Sequence, residues 1–283
     1  MEEFIRIHRA ALAAIERGET IAMTTVVRVR GSAPRHEGAR MLVWPDGRIQ
    51  GTVGGATLEL KVIEHAIQAL ETGRGRFERY VFSTAGDPES VGLCGGEVEV
   101  HIEVLEPQLS LAIVGAGHVA LPLAVIGYQA GMRVVVVDDR SEFATQERFP
   151  MAAERAVVRY DEARGVLDPI PIAFKVPCAV VVATWGWDEP ALAQILRAQE
   201  IPEYVGLIAS RTKASVIRER LLAGGLSEEL VNKVRAPIGL DLGAETPGEI
   251  AVSIVAEILA WRRRASARPM SEAARPPKKN GEA

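Results

Sequence analysis

Apolar and polar positions follow two rhythms along this chain, and the rhythm changes near residue 107. At the start, Phe4, His8, Ala11, Leu12 and Ile15 recur at helical spacing between charged residues, which predicts an amphipathic helix. Residues 20–30 (TIAMTTVVRVR) read as a strand and residues 31–38 (GSAPRHEG) as a loop. Residues 39–44 and 48–53 are predicted to pair as a hairpin about Pro45-Asp46-Gly47, where glycine accepts a positive φ cheaply. Gly54-Gly55 lead into a helix from about Ala56 to Glu71, with Leu60, Ile63, Ile67 and Leu70 along one face. Two more strands are predicted near 77–82 and 97–105, separated by a polar loop ending in Gly92-Leu93-Cys94-Gly95-Gly96.

After Pro107 the strands become apolar throughout and alternate with helices. The predicted order is a strand at 109–114, a glycine turn and a helix to about Ala130, then a strand at 133–138 (RVVVVD) and a short one at 157–159. A strand at 179–184, a helix at about 189–199, a strand at 204–209 and helices from about Thr212 and Pro247 complete it. Strands without a polar face need cover on both sides, so this half is expected to be a parallel sheet between helix layers. The fold class expected is therefore α/β: an N-terminal α+β domain over 1–106, then a Rossmann-like doubly wound domain over 107–261. Residues 262–283, rich in Pro, Ala and basic residues and without apolar periodicity, are expected to form a disordered tail.

Charge narrows the function classes. The 283 residues carry a formal net charge of −4. Seven Lys/Arg and two Asp/Glu lie in 262–283, so without that segment the charge is −9. Such a body does not suit a polyanion, and with aromatics at only 5% there is little material for stacking single-stranded bases. No nucleic-acid partner is expected. Apolar runs are too short for a bilayer, so no membrane partner is expected either. The two cysteines, Cys94 and Cys178, stand alone, without a Cys-x-x-Cys pair or a Cys/His cluster. That argues against structural zinc and disulfides and fits a reducing cytoplasm.

The strongest chemical signal is Gly115-Ala116-Gly117-His118-Val119-Ala120, a G-x-G-x-x-A turn between a predicted strand and a predicted helix. Asp138 lies 21 residues after Gly117, at the end of the next strand. This is the context of a dinucleotide site: Gly115 makes the turn, Gly117 admits a phosphate, and Asp138 or Asp139 accepts from a ribose hydroxyl. A Rossmann-like domain without a nucleotide is the alternative. His118, at the mouth of the crevice, suits acid–base work or a ligand hydrogen bond, or equally a local cap. Ser210-Arg211, with Lys213 beside them, end a strand and point to the same crevice.

Loops of the first half suit anions. Ser32 and Arg35 in Gly31-Ser32-Ala33-Pro34-Arg35 offer a hydroxyl and a guanidinium fork, and Gly54-Gly55 precede a helix start. Each alone is also an ordinary turn. Cys94, before Gly95-Gly96, is an approachable thiol that can react, ligate or stay inert, whereas Cys178 opens a buried strand as a small hydrophobe. Glu249 is expected to favour its helix N-terminus rather than to catalyse. Trp185 and Trp187 can shield a flat ligand or simply pack.

Taken together, GSAPRHEGARMLV, GTVGGATLEL and the CGG of 94–96 in the first half, with VGAGHVALPLA, VVVVDDRSEFATQERFP, YVGLIASRTK and APIGLDLGAETPGEIAVSIVAEIL in the second, make the chain resemble the XdhC/CoxI family of molybdoenzyme maturation factors. The resemblance runs from about Gly31 to Leu259. It implies a cytoplasmic molybdenum cofactor-binding chaperone that guards the cofactor and supports its sulfuration. It also implies contact with a cysteine desulfurase, delivery to a molybdenum hydroxylase apo-enzyme of xanthine-dehydrogenase or carbon-monoxide-dehydrogenase type, and self-association as a homo-oligomer. By position, Cys94 corresponds to the family's CGG cysteine, a sulfur relay or metal ligand through bound cofactor. Gly115, Gly117 and His118 correspond to its GAGH turn, Asp138 and Asp139 to its paired acids, and Ser210 and Arg211 to its Ser-Arg pair. The chain departs from the family at Thr184-Trp185, where the usual pair is Thr-His, and at Ala56 and Ala209, where glycine is usual. Two rival readings are an NAD(P)-dependent oxidoreductase, resting on Gly115, Gly117 and Asp138, and a noncatalytic scaffold regulated by a nucleotide.

Overall fold

A computed structural model describes residues 2–82, 96–171 and 177–272, except for the side chain of Ala56. The chain divides into two compact units, Met1–Gln108 and Leu109–Ala283.

The first unit is built on an antiparallel five-stranded sheet. Its elements are α1 (Glu2–Glu16), β1 (Ile21–Arg30), β2 (Arg40–Val43), β3 (Ile49–Gly51), α2 (Ala56–Thr72), β4 (Arg76–Val81) and β5 (Glu97–Leu105), and the sheet order is β3-β2-β1-β5-β4. The hairpin forms as its turn residues dictate, with Met41 opposite Gly51 and Val43 opposite Ile49. Alternation sorts the side chains between two cores. Ala22, Val26, Met41, Val43, Val98, Val100 and Ile102 face α2, while Ile21 and Leu42 face α1 with Trp44.

In both helices the buried stripe is shifted from the one expected. In α1 the buried residues are Ile7, Ala11 and Ala14, whereas Phe4 and Leu12 are exposed. In α2 Leu58, Val62, Ala66 and Ala69 make the contact, Ile63, Ile67 and Leu70 flank it, and Leu60 is 69% exposed. The physical reason is proximity. Ala66 and Ala69 in α2, and Ala11 and Ala14 in α1, let each helix sit close to the sheet, and the larger residues beside them fill the flanks.

The second unit holds six parallel strands: β6 (Ser110–Val114), β7 (Arg133–Asp138), β8 (Glu154–Val157), β11 (Cys178–Val182), β12 (Tyr204–Leu207) and β13 (Val234–Arg235). A small antiparallel pair, β9 (Tyr160–Asp161) with β10 (Val166–Leu167), stands apart from them. The order β13-β12-β11-β6-β7-β8 changes its direction of growth between β6 and β11, the doubly wound arrangement. Helices α3 (Ala120–Gln129) and α7 (Pro247–Arg262) cover one face through Leu123, Ala124, Ile254 and Ile258. Helices α4 (Asp188–Leu196), α5 (Arg211–Ala223) and the short α6 (Glu228–Val231) cover the other through Leu192, Ile195, Ile217 and Val231. Burial on both faces is why β6, β7 and β11 contain almost no polar residue. Cys178 is buried in this sheet, and desolvation pushes its thiol up to about 12, so it stays a neutral hydrophobe.

The third strand lies at 154–157 rather than 157–159. It pairs as an edge with Val135–Asp138, and Val158 then donates to the Asp138 carbonyl at 3.0 Å. The sequence pattern does not announce β9, β10, α6 or β13, all of four residues or fewer. Among the described residues no helix is long and apolar enough to cross a membrane.

Candidate functional site

Two sets of candidate residues emerge, one in each unit.

In the second unit the carboxyl ends of β6, β7, β11 and β12 gather one set around the switch point. Gly115 ends β6 at φ 107°, with its N–H on the Val137 carbonyl at 2.7 Å. A Cβ there would run into the Ala183 carbonyl oxygen, so the turn requires glycine. Above Gly117 a Cβ would meet nothing within 4 Å. Helix α3 then starts without a side-chain cap; the Ala120 N–H donates to the Gly117 carbonyl at 3.2 Å, and Pro122 at its third position has no N–H. His118 is exposed beside this helix start.

Asp138 is 1% exposed. Its Oδ2 accepts from the Ala116 N–H at 2.5 Å and from the second terminal nitrogen of Arg140 at 3.0 Å. Its Oδ1 accepts from the Arg140 amide at 2.9 Å and from Arg140 Nε at 2.8 Å. Burial alone raises a carboxyl pKa. Here the Arg140 guanidinium and the two amides outweigh it and hold Asp138 below the usual carboxylate range. The guanidinium also lies over the Phe143 ring at 3.7 Å, and that of Arg148 lies 4.5 Å from the centre of the same ring. Asp139 accepts from Trp187 Nε1 at 3.1 Å.

The loop after β11 splits its two tryptophans. Trp187 is buried, whereas Trp185, across the turn made by Gly186 at φ 96°, is 90% exposed. Asp188 is buried. One oxygen accepts from the Thr184 N–H at 3.1 Å, and the other meets Lys213 Nζ at 2.6 Å. The Thr184 hydroxyl is buried without a hydrogen-bond partner. Ser210 caps α5 by accepting from the Lys213 N–H at 3.2 Å, and Arg211 next to it is exposed.

In the first unit the glycine loops meet. A Cβ on Gly96 would run into the Ser32 carbonyl oxygen, and one on Gly54 would lie 3.2 Å from Pro34. The 31–38 loop therefore touches both the start of α2 and the strand end that follows Cys94. Gly55 holds the N-cap of α2 at φ 72° without a side-chain cap. Ser32 is exposed. Arg35 is turned to Glu3 of α1 at 2.6 Å, and its Nε is buried without a partner. Cys94 and Gly95 lie outside the described residues, and so does the sulfur or metal-ligand role read for Cys94. Among the described residues no group of three or more His, Cys, Asp or Glu is placed to hold a metal ion.

Glu249 does what its position suggested. It completes a capping box, accepting from the Thr246 amide at 2.9 Å while Thr246 Oγ1 accepts from the Glu249 amide at 3.3 Å. The parts played by Arg140, Thr184 and Asp188 do not show in the sequence pattern. The one signal that points to Arg140 is its place two residues beyond a strand-end acid.

Comparison with known proteins follows the same division. Residues 111–258 match the XdhC Rossmann domain, and residues 14–81 match the XdhC and CoxI family. The uncharacterized protein YqeB of Escherichia coli (strain K12) is 36% identical over 239 residues, covering 84% of this chain and 43% of that protein. A probable xanthine dehydrogenase subunit of Bacillus subtilis (strain 168) is 32% identical over 164 residues, covering 58% and 46%. The molybdenum cofactor insertion chaperone PaoD of Escherichia coli (strain K12) is 27% identical over 286 residues, covering 90% and 88%. The chain thus spans less than half the length of two of these relatives. With a glycine turn and switch-point crevice in the matched Rossmann domain, and the N-terminal unit matched by its own model, the chain belongs to the XdhC and CoxI family.

Proposed function

We propose that this protein is a molybdenum cofactor-binding maturation chaperone. It protects the cofactor, supports its sulfuration with a cysteine desulfurase, and delivers it to a xanthine-dehydrogenase-like or carbon-monoxide-dehydrogenase-like apo-enzyme. It works in the cytoplasm and self-associates. The observation that carries this reading is the likeness to the insertion chaperone PaoD along nine-tenths of the chain.

The first unit offers groups that fit such a ligand. Bound there, the cofactor supplies a phosphate, a flat pterin edge and a soft dithiolene-held metal. Gly54 and Gly55 open the uncapped end of α2, whose first amides suit a phosphate. The Nε–H of Arg35 is buried without a partner, a donor waiting for an acceptor. Cys94 would supply the soft ligand or the sulfur relay.

The test is purification from a host that makes the cofactor, followed by measurement of bound molybdenum and pterin for the wild type and Cys94→Ala. The wild type should carry both, and the variant should lose most of its metal. A wild-type protein that carries neither, and takes up neither on reconstitution, removes the reading.

A further inference from the structure

The crevice of the second unit has the glycine turn of a dinucleotide site, but the acid that ends β7, Asp138, is committed elsewhere. A ribose diol is normally read by a strand-end carboxylate with free lone pairs. A carboxylate offers about four acceptor positions. Asp138 fills that number inside the protein: Ala116 N–H, Arg140 N–H and two guanidinium nitrogens of Arg140. Asp139 accepts the indole N–H of Trp187 on one oxygen, which lies 3.8 Å from Arg140 Nε. Over Asp138 the end of β7 presents Arg140, whose side chain is 36% exposed, fixed by Asp138 and stacked on Phe143. A second guanidinium, that of Arg148, lies on the same ring.

The phosphate side of the crevice is built. Gly117 leaves open space in the turn that leads into α3, and no side chain caps that ten-residue helix. The adjoining Thr184 is nine-tenths buried with an unpartnered hydroxyl, and its backbone N would lie 2.9 Å from a Cβ on Gly115. A buried hydroxyl without a partner is costly unless something completes it.

We propose that this crevice binds a dinucleotide that carries a phosphate on the 2′-oxygen of its adenosine ribose, the NADP(H) class, and discriminates against NAD(H), with Arg140 as the residue that sets the preference. The pyrophosphate lies on the Gly115–Gly117 turn. Arg140 takes the 2′-phosphate with the donors that Asp138 leaves free, and its flat face on Phe143 resists rotation. The assignment is independent of the molybdenum cofactor reading, which uses the first unit.

Isothermal titration of the full chain with NADPH, NADH, 2′,5′-ADP, 5′-ADP and coenzyme A tests it. NADPH and 2′,5′-ADP should bind at least tenfold more tightly than NADH and 5′-ADP. Arg140→Gln should lose that preference, because it removes the phosphate fork and releases Asp138 toward a diol. Gly117→Asp places a carboxylate in open space and should abolish binding of both dinucleotides, with the thermal transition unchanged. If Arg140→Gln does not fold, the wild-type comparison decides alone. Equal or tighter binding of NADH, no binding of any nucleotide to the folded wild type, or a preference for coenzyme A with its 3′-phosphate would each overturn the proposal.

Discussion

The two units hold their glycine loops together by different means. In the second unit four parallel strands deliver the ends of β6, β7, β11 and β12 to one edge, so topology alone gathers Gly117, Asp138, Thr184 and Ser210. In the first unit the sheet is antiparallel and its loops leave from both ends of the strands. What joins the 31–38 loop to Gly54 and Gly96 there is close contact of backbone and proline. A parallel sheet fixes where a site is before any side chain is chosen. An antiparallel one leaves that to local packing.

Glycine substitutions press hardest on this contrast. Gly115→Ala drives a methyl group into a backbone carbonyl at φ 107°, and should cost about 3 kcal/mol or more in chemical denaturation. Gly117→Ala, two residues on, should stay within about 0.5 kcal/mol, since its Cβ meets open space. Gly96→Ala in the first unit should be as harmful as Gly115→Ala, because its Cβ would collide with the Ser32 carbonyl oxygen. A mild Gly96→Ala would show that the first unit's loops adjust where the second unit's cannot.

Core truncations come next. Trp187→Ala should cost about 3–5 kcal/mol and Leu58→Ala about 2–5 kcal/mol. Leu60→Ala, the one member of the stripe expected in α2 that the fold exposes, should change stability by less than about 0.5 kcal/mol. A Leu60→Ala as costly as Leu58→Ala would mean that α2 packs through a different face. Thr246→Ala breaks the capping box of α7 and should cost about 1 kcal/mol, read as a shift of the urea midpoint.

The smallest effect is electrostatic and belongs to the first unit. Arg17 first, then the Trp44 indole, hold the Glu19 carboxyl down to about 2. A carboxyl lowered in the folded state stabilises it above the unfolded value, and that contribution fades as pH falls toward the folded one. Wild type should therefore exceed Glu19→Gln in stability near neutral pH. The gap should close between about pH 5 and 2, followed through denaturation monitored by tryptophan emission. It will be modest, since the Arg17 partner is exposed and Glu19 is partly so. A gap that persists at pH 2 would show that the ion pair is not its source.

Much of the fold is legible because apolar periodicity is a local record of burial. Residues 133–138 read as a doubly buried strand and are one, and Pro45-Asp46-Gly47 sits where the hairpin bends. Glu249 is legible for the same reason, since a capping box is completed within four residues. The site shows in outline through the spacing of Gly115, Gly117 and Asp138. What Asp138 does stays hidden, since a strand-end acid looks the same whether it faces a ribose or a guanidinium. The elements that go unseen, such as β13 and β9, are too short to show a period.

The order of the longer strands and helices, the glycine turn after β6, the isolation of the two cysteines and the membership of a family can all be read from the residues in a row. They depend on local pattern or on motifs, and both exist before the chain folds. Three things came only with the folded chain: which stripe of α1 and α2 is buried, that the 31–38 loop meets Gly54 and Gly96, and that Arg140 closes Asp138. Each depends on the distance between groups and on how lone pairs are shared among competing donors, quantities that exist only once the chain has folded.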